Sequence, residues 1–293
     1  MSADPTTIRA DLTADALAGR PLSAADIAAL AATTDILTLG ALADDVRRSR
    51  HGTTTTFVRV HTLDLVAADA WTAPPAEAQE LRLDGQPASL DAALDLVRRA
   101  RALTGAVTLR GFVLGDLMAL GGIAGLAALK AAGLDGVALV EPGPDAAAAV
   151  TAARAAGLAV SVAGVVTAPE DRSAWLLAVR SLQQAVGGLR AVAPLARVSD
   201  PTTPTTGFDD VRQVALARLA LETIPHVQVD WRVHGPKLAQ VALAVGADDI
   251  DGVTADDDLS RGPRRAPLEE IRRNIVAAGL TPAERDAGFT ALA

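Results

Sequence analysis

The most chemically suggestive feature of this 293-residue chain is a set of ionisable residues at every second position. In TFVRVHTLD, Arg59 and His61 alternate with Val58 and Val60. In ELRLD, Arg82 and Asp84 alternate with Leu81 and Leu83, and in VTLR, Thr108 and Arg110 alternate with Val107 and Leu109. HVQVDWRVH sets His226, Gln228, Asp230, Arg232 and His234 against Val227, Val229, Trp231 and Val233. A period of two is that of a strand with one polar and one apolar face. Guanidinium and carboxylate groups on neighbouring strands have two uses. They can pair, here Arg59, Arg82 and Arg110 with Asp84, Asp230 and Asp251. They can also line a wet cavity in which arginine clamps a carboxylate or phosphate. Each unpaired buried ion costs several kcal/mol, so every member must find a partner or water. The ligand-binding candidates are Arg59, His61, Asp84, Arg110, Glu141, Asp230, His234, Asp249 and Asp251. Glu141, just after a strand, and Asp251 are the candidates for acid–base work. His61, His234, Asp230 and Asp251 offer metal-type donors, but no HExxH or close histidine pair supports a metal site, and none is assigned.

Positioning such residues requires strands with crossover helices. The N-terminal segment, residues 1–50, reads as helices, with Ser23 as an N-cap. Residues 51–293 then alternate. Strands are expected at Phe57–Leu65, Glu80–Asp84, Ala106–Leu114, Gly136–Val140, Ala159–Val166, Leu189–Val198, His226–Val233 and Asp249–Val253. Helices are expected at Leu90–Leu103, Leu117–Ala132, Asp145–Ala156, Pro169–Val186, Phe208–Thr223, Pro236–Val245 and Pro267–Ala278. The order predicts an α/β fold, a parallel (β/α)8 TIM-type barrel in one domain. Between the first two strands the stretch is short and rich in Pro and Ala, so the first crossover helix is shortened or missing. No GxGxxG or GxxxxGK[ST] follows a strand, which counts against a doubly wound nucleotide-binding sheet. The polar strand faces should line the barrel interior, because the valine and leucine faces match Ala/Leu-rich helices.

Net charge is −8 and the pI about 5.0, which argues against nucleic acid as partner. No signal peptide and no run of about 18 uncharged apolar residues is evident, so a cytoplasmic protein without a membrane partner is expected. The chain contains no cysteine. That removes disulfides, thiolate zinc sites, a cysteine nucleophile and cysteine-ligated iron–sulfur clusters.

The segments GLRAVAPLARV, TGFDDVRQVALARLALETIPH, IPHVQVDW, GPKLAQVAL and GADDIDG together resemble the C-terminal part of the radical-SAM aminofutalosine synthase of menaquinone biosynthesis. The dehypoxanthine futalosine cyclase and the deazaflavin-cofactor synthases are similar but less close. The resemblance is most specific between Phe208 and Gly252. It implies a barrel, and in the family a CxxxCxxC loop after strand one holds a [4Fe–4S] cluster that binds S-adenosylmethionine. Here that loop reads LVAADAWTAPPAEAQE, without cysteine. The segment after strand four, VALVEPGPDAA, also departs from the family's Gly-rich pattern.

The expectation is a cluster-free relative, with no cofactor, that serves as a binding or partner protein. It would take a small anionic or nucleoside-like ligand, or an active radical-SAM paralogue. The alternative is an enzyme that runs cofactor-free or metal-assisted acid–base chemistry on a small anionic substrate in the retained lumen.

Overall fold

The computed structural model describes residues 8, 10–198, 205–256 and 267–292. Most of the segment SDPTTPTTG, before the helix expected at Phe208, lies outside these residues, as does most of the first ten. Helices α1 (Ala10–Leu17), α2 (Ala24–Ala32) and α3 (Ile36–His51) come first. Ser23 and Asp26 form a capping box on α2, each side chain satisfying an orphan backbone N–H of the other's turn. Leu39, Leu42, Ala43 and Val46 of α3 are buried.

The barrel strands are β1 (Thr54–Asp64), β2 (Glu80–Asp84), β3 (Thr108–Val113), β4 (Gly136–Leu139), β5 (Val162–Gly164), β6 (Ala191–Ala193), β7 (His226–Asp230) and β8 (Asp249–Thr254). They run parallel in the order β4-β3-β2-β1-β8-β7-β6-β5. Bridges Gly136–Ala159 and Val140–Ala163 join β4 to the β5 segment and close the ring. The crossover helices are α4 (Leu90–Leu103), α5 (Leu114–Ala132), α6 (Ala146–Ala155), α7 (Arg172–Val186), α8 (Gly207–Ala220) and α9 (Trp231–Leu243). They bury Val97, Leu126, Leu129, Val150, Leu176 and Val179 in one core with the outer strand faces. Helix α10 (Pro267–Ala277) follows β8. Helix α5 is long and apolar enough to cross a membrane by length and composition, yet it carries Asp116 and Lys130 and connects β3 to β4.

As expected, no α-helix joins β1 to β2. A 3-10 turn, Leu65–Ala70, takes its place. Strand β7 is shorter than the sequence alternation implies. Asp230 accepts from the N–H groups of Arg232 and Val233, caps α9 and stops the strand. Trp231, Arg232, Val233 and His234 therefore belong to a helix, which kinks at Gly235 (φ 76°) before Pro236.

A ninth strand, β9 (Thr281–Glu284), has no counterpart among the expected strands. It pairs with the first residues of β1, Thr54 with Thr281 through Phe57 with Glu284. Strand β2 joins β1 only from Val60 onward, so β9 fills the vacant edge below it. The segment after β9 brings Phe289 against Leu139, Val162 and Ala191.

Candidate functional site

Register decides which side chains face the lumen, because paired residues of parallel strands project to the same side. Glu80 pairs with Val60 and Thr108, and Arg82 pairs with Thr62 and Arg110. Gln228 pairs with Asp249, and Asp230 with Asp251. These polar residues share the inner face, as β2, β3 and β7 were expected to show. Strand β1 is inverted relative to expectation. Val60 and Thr62 face inward, so Arg59 and His61 face outward. Phe57 and Leu63 share that outer face and are buried in the core. The Nε of Arg59 donates to Glu284 of β9 at 2.8 Å. The Nδ1 of His61 lies 3.5 Å from Asp256 without a hydrogen bond.

The lower lumen is cross-linked. Asp249 accepts both Nε (2.6 Å) and Nη2 (2.7 Å) of Arg285, together with Gln228 Nε2 at 2.7 Å and Thr56 Oγ1 at 2.5 Å. Arg285 lies 4.0 Å over the ring of Phe289. One layer up, Arg82 makes a bidentate pair with Asp251 at 2.7 and 2.8 Å and donates Nε to Glu80 at 2.7 Å. Burial by itself would raise the Asp251 carboxyl. The Arg82 guanidinium beside it, with help from Arg285 and Arg197, overrides burial and holds the group well below the usual range. Asp251 is thus a fixed anion, with no proton to give near neutrality. The Arg82 guanidinium is lowered by burial and raised by Asp251 and Glu80, and the net shift is upward.

Arg110 differs. It is 5% exposed and has no hydrogen bond among the described residues, and its Nε is buried without a partner. Burial lowers its pKa, and the attraction of Glu80 does not offset burial and the neighbouring Arg82 and Arg285. Its partner across β4 is Gly136, which offers no side chain.

At the C-terminal mouth, Asp230 lies 3.1 Å from Arg197, and Asp84 accepts from Arg232 at 2.7 Å. Gly252 (φ 68°) brings the β8 backbone close to Asp230, and a Cβ there would sit 2.5 Å from Oδ1. His234 has Nδ1 at 3.1 Å from the Asp230 carbonyl and Nε2 at 3.0 Å from the Ala196 carbonyl. Glu141 is exposed and accepts from the Val166 N–H at 2.8 Å. The structure therefore brings Arg82, Glu80, Asp249, Asp251 and Arg110 into one lumen. Asp84, Asp230 and His234 lie at its mouth, with Glu141 apart on the β4–α6 loop and Arg59 and His61 outside.

Sequence reasoning missed Arg285, Glu284 and Phe289, because TPAERDAGF shows no alternation. It also missed a cluster at the β7 N-terminus. There Asp248 accepts from Arg218, the Val227 N–H (2.9 Å) and His226 Nδ1 (2.6 Å), while the His51 ring stacks on His226 at 5.2 Å. The metal-type atoms of His51, His226 and Asp248 lie within 4.8 Å of one another. Arg218 already neutralises the carboxylate, however, and an added divalent cation would face that guanidinium.

The family resemblance of the sequence would imply a thiolate-held cluster after β1. In that loop Asp64 caps the Val66 N–H, Trp71 Nε1 donates to the Asp64 carbonyl at 2.7 Å, and Arg99 Nη2 contacts Ala68 O and Asp69. The chain has no cysteine to place there, so these residues do not fit a cysteine-ligated [4Fe–4S] cluster.

The fold and lumen define a nearly closed parallel (β/α)8 barrel with a charged interior. Residues 191–292 match the family model described as CofH/MqnC C-terminal region. Aminodeoxyfutalosine synthase of Thermus thermophilus is 36% identical over 132 residues, 40% of this chain and 36% of that protein. The Archaeoglobus fulgidus 5-amino-6-(D-ribitylamino)uracil--L-tyrosine 4-hydroxyphenyl transferase is 35% identical over 136 residues, 42% of this chain and 39% of that protein. The match thus spans well under half the length of these relatives. Methylornithine synthase (PylB) has the same fold, with TM-score 0.65 at 14% identity over 95% of this chain and 98% of that one. The FeFe-hydrogenase maturase HydG of Carboxydothermus hydrogenoformans gives TM-score 0.66 at 14% identity, over 96% and 80%.

Proposed function

We propose that this chain is a cytoplasmic, cluster-free relative of aminodeoxyfutalosine synthase that binds a small anionic or nucleoside-like ligand in its barrel without radical chemistry. The absence of cysteine removes the ligands of the family cluster. The observation that carries the binding role is Arg110. Asp249 and Asp251 are each held by a bidentate guanidinium, whereas Arg110 is buried with no hydrogen bond among the described residues. A buried guanidinium held by rigid strands and left unpaired is suited to an incoming carboxylate or phosphate.

A thermal-shift titration tests this with S-adenosylmethionine, 5′-deoxyadenosine, futalosine-type nucleosides and carboxyvinyl-oxybenzoate. A ligand at about 100 times its Kd should stabilise the wild type by ~2.7 kcal/mol, and Arg110→Met should abolish the shift. Iron and sulfide retained after anaerobic reconstitution, with cleavage of S-adenosylmethionine, would overturn the cluster-free reading. No shift with any of the compounds would overturn the binding role.

A further inference from the structure

The outer faces of the crossover helices are not alike. Helix α4 exposes Asp91, Asp95, Arg98 and Arg99, and α10 exposes Glu269, Arg272 and Arg273. The bodies of α5 and α6 differ: residues 117–129 and 146–153 include no charged side chain. The basic residues at the ends of these helices and on α7 are occupied elsewhere. Arg154 donates to the carbonyls of Val160 and Val186, Arg180 to those of Leu22 and Ala220, and Lys130 lies 3.4 Å from Asp135. Helices α5, α6 and α7 leave a groove of about 710 Å³ between them, with Ala127, Ala148, Thr151 and Ala185 in its lining. Ile123 also borders it and is 65% exposed. It follows Gly122 (φ 56°), where α5 departs from helical geometry. A contiguous exposed apolar surface of this kind marks an interaction site.

We propose that this face is the interface between two copies of the chain, related by a twofold axis. Shape, charge and size select a second copy as the occupant. The protruding Ile123 and the alanine-lined groove lie on one face, so the Ile123 of each copy can enter the groove of the other. That is a self-complementary contact, which closes as a pair. Each chain carries a net charge of −8, so copies repel one another in general. A twofold axis also sets residues near it against their own copies, and a face without charges avoids like-charge contacts there. Helices of 19, 10 and 15 residues, at about 1.5 Å per residue and about 10 Å between axes, give a face of roughly 660 Å². That is close to the ~800 Å² per partner of a standard interface. The interface lies outside the barrel and does not depend on the lumen role proposed above.

Sedimentation equilibrium at micromolar concentrations tests this with the wild type, Ala148→Arg, Thr151→Glu and Val276→Glu. The wild type should sediment at twice the 29.9 kDa of the chain. Ala148 and Thr151 are exposed in the single chain, so both groove variants should fold, with unchanged circular dichroism. Each should raise the dissociation constant roughly 100-fold or more, because a charge is then buried without a partner. Val276→Glu alters an exposed apolar residue of α10 and should leave the dimer as it is. A wild type that stays monomeric would overturn the proposal, as would a dimer unaffected by both groove variants or weakened equally by Val276→Glu. A monomer that floats with phosphatidylcholine vesicles, and loses them in Ala148→Arg, would also overturn it and give the face to a lipid surface.

Discussion

Two arginines one strand apart, in register and equally buried, should respond in opposite ways to removal. Arg82 pairs with Asp251 and Glu80, and replacing it with Met leaves two buried carboxylates exposed to one another. Breaking one side of such a pair costs about 3–5 kcal/mol. Arg110 makes no hydrogen bond among the described residues, and the attraction of Glu80 does not offset its burial, so Arg110→Met removes an undercompensated buried cation and keeps the aliphatic stem. It should be neutral or stabilising within ~1 kcal/mol, by urea denaturation at constant slope. Equal losses for the two variants would mean that Arg110 belongs to the ion-pair network after all. The sequence presented both as polar members of alternating strands, and nothing in ELRLD or VTLR tells them apart. The difference lies across the barrel, because Asp251 of β8 forms an ion pair with Arg82, while no carboxylate among the described residues forms an ion pair with Arg110.

At the scale of elements, β9 pairs with the start of β1 where β2 does not reach. It supplies Glu284 to the outward Arg59, and the residue after it, Arg285, goes to the inward Asp249. Two successive residues thus serve the two faces of one sheet edge. Arg285→Leu should lower the unfolding free energy by about 3–5 kcal/mol, because Asp249 stays buried and charged. Adding Asp249→Leu should return part of that loss, and the double-mutant cycle read by urea unfolding gives their coupling. Purely additive losses would show that the pair does not act as a unit. Most of the ring was legible from periodicity, since Glu80–Asp84 and Leu90–Leu103 were read to the residue. The end of β7 was not. Alternation in HVQVDWRVH continues past Asp230, but the Asp230 side chain caps α9 at that point, and a local cap outweighs periodicity. The inversion of β1 was illegible for a different reason. Facing is set by register against β2 and β8, and the valines of VRV are compatible with either side.

At the scale of the whole molecule, the two fully buried carboxylates held low, Asp248 and Asp251, contribute strongly to its acid sensitivity. At the β7 end, burial alone would raise the Asp248 carboxyl, but Arg218, a hydrogen bond from His226, and His51 lower it from 3.8 to about 2. A carboxyl held lower in the folded state gives stability that is full above its unfolded value. That stability is lost as pH falls from about 4 to about 2, and amounts to ~2 kcal/mol for this shift. Asp251 is lowered in the same direction and extends the loss to still lower pH. His51 acts earlier. Burial lowers its pKa from 6.5 despite the pull of Asp248, so the unfolded chain takes up its proton first, and stability begins to fall below pH 6.5. Urea midpoints between pH 8 and pH 2.5 should therefore show a shallow decline starting near 6.5 and a steep one below 4. His51→Gln should remove the shallow step while leaving the steep one. Asp248→Asn should lower the plateau by about 3–5 kcal/mol, because Arg218 is left buried and unpaired, and should flatten the fall below pH 4. A steep step unchanged in Asp248→Asn would place the acid transition in the lumen, with Asp251, instead of at the cluster that joins α3, α8 and β7.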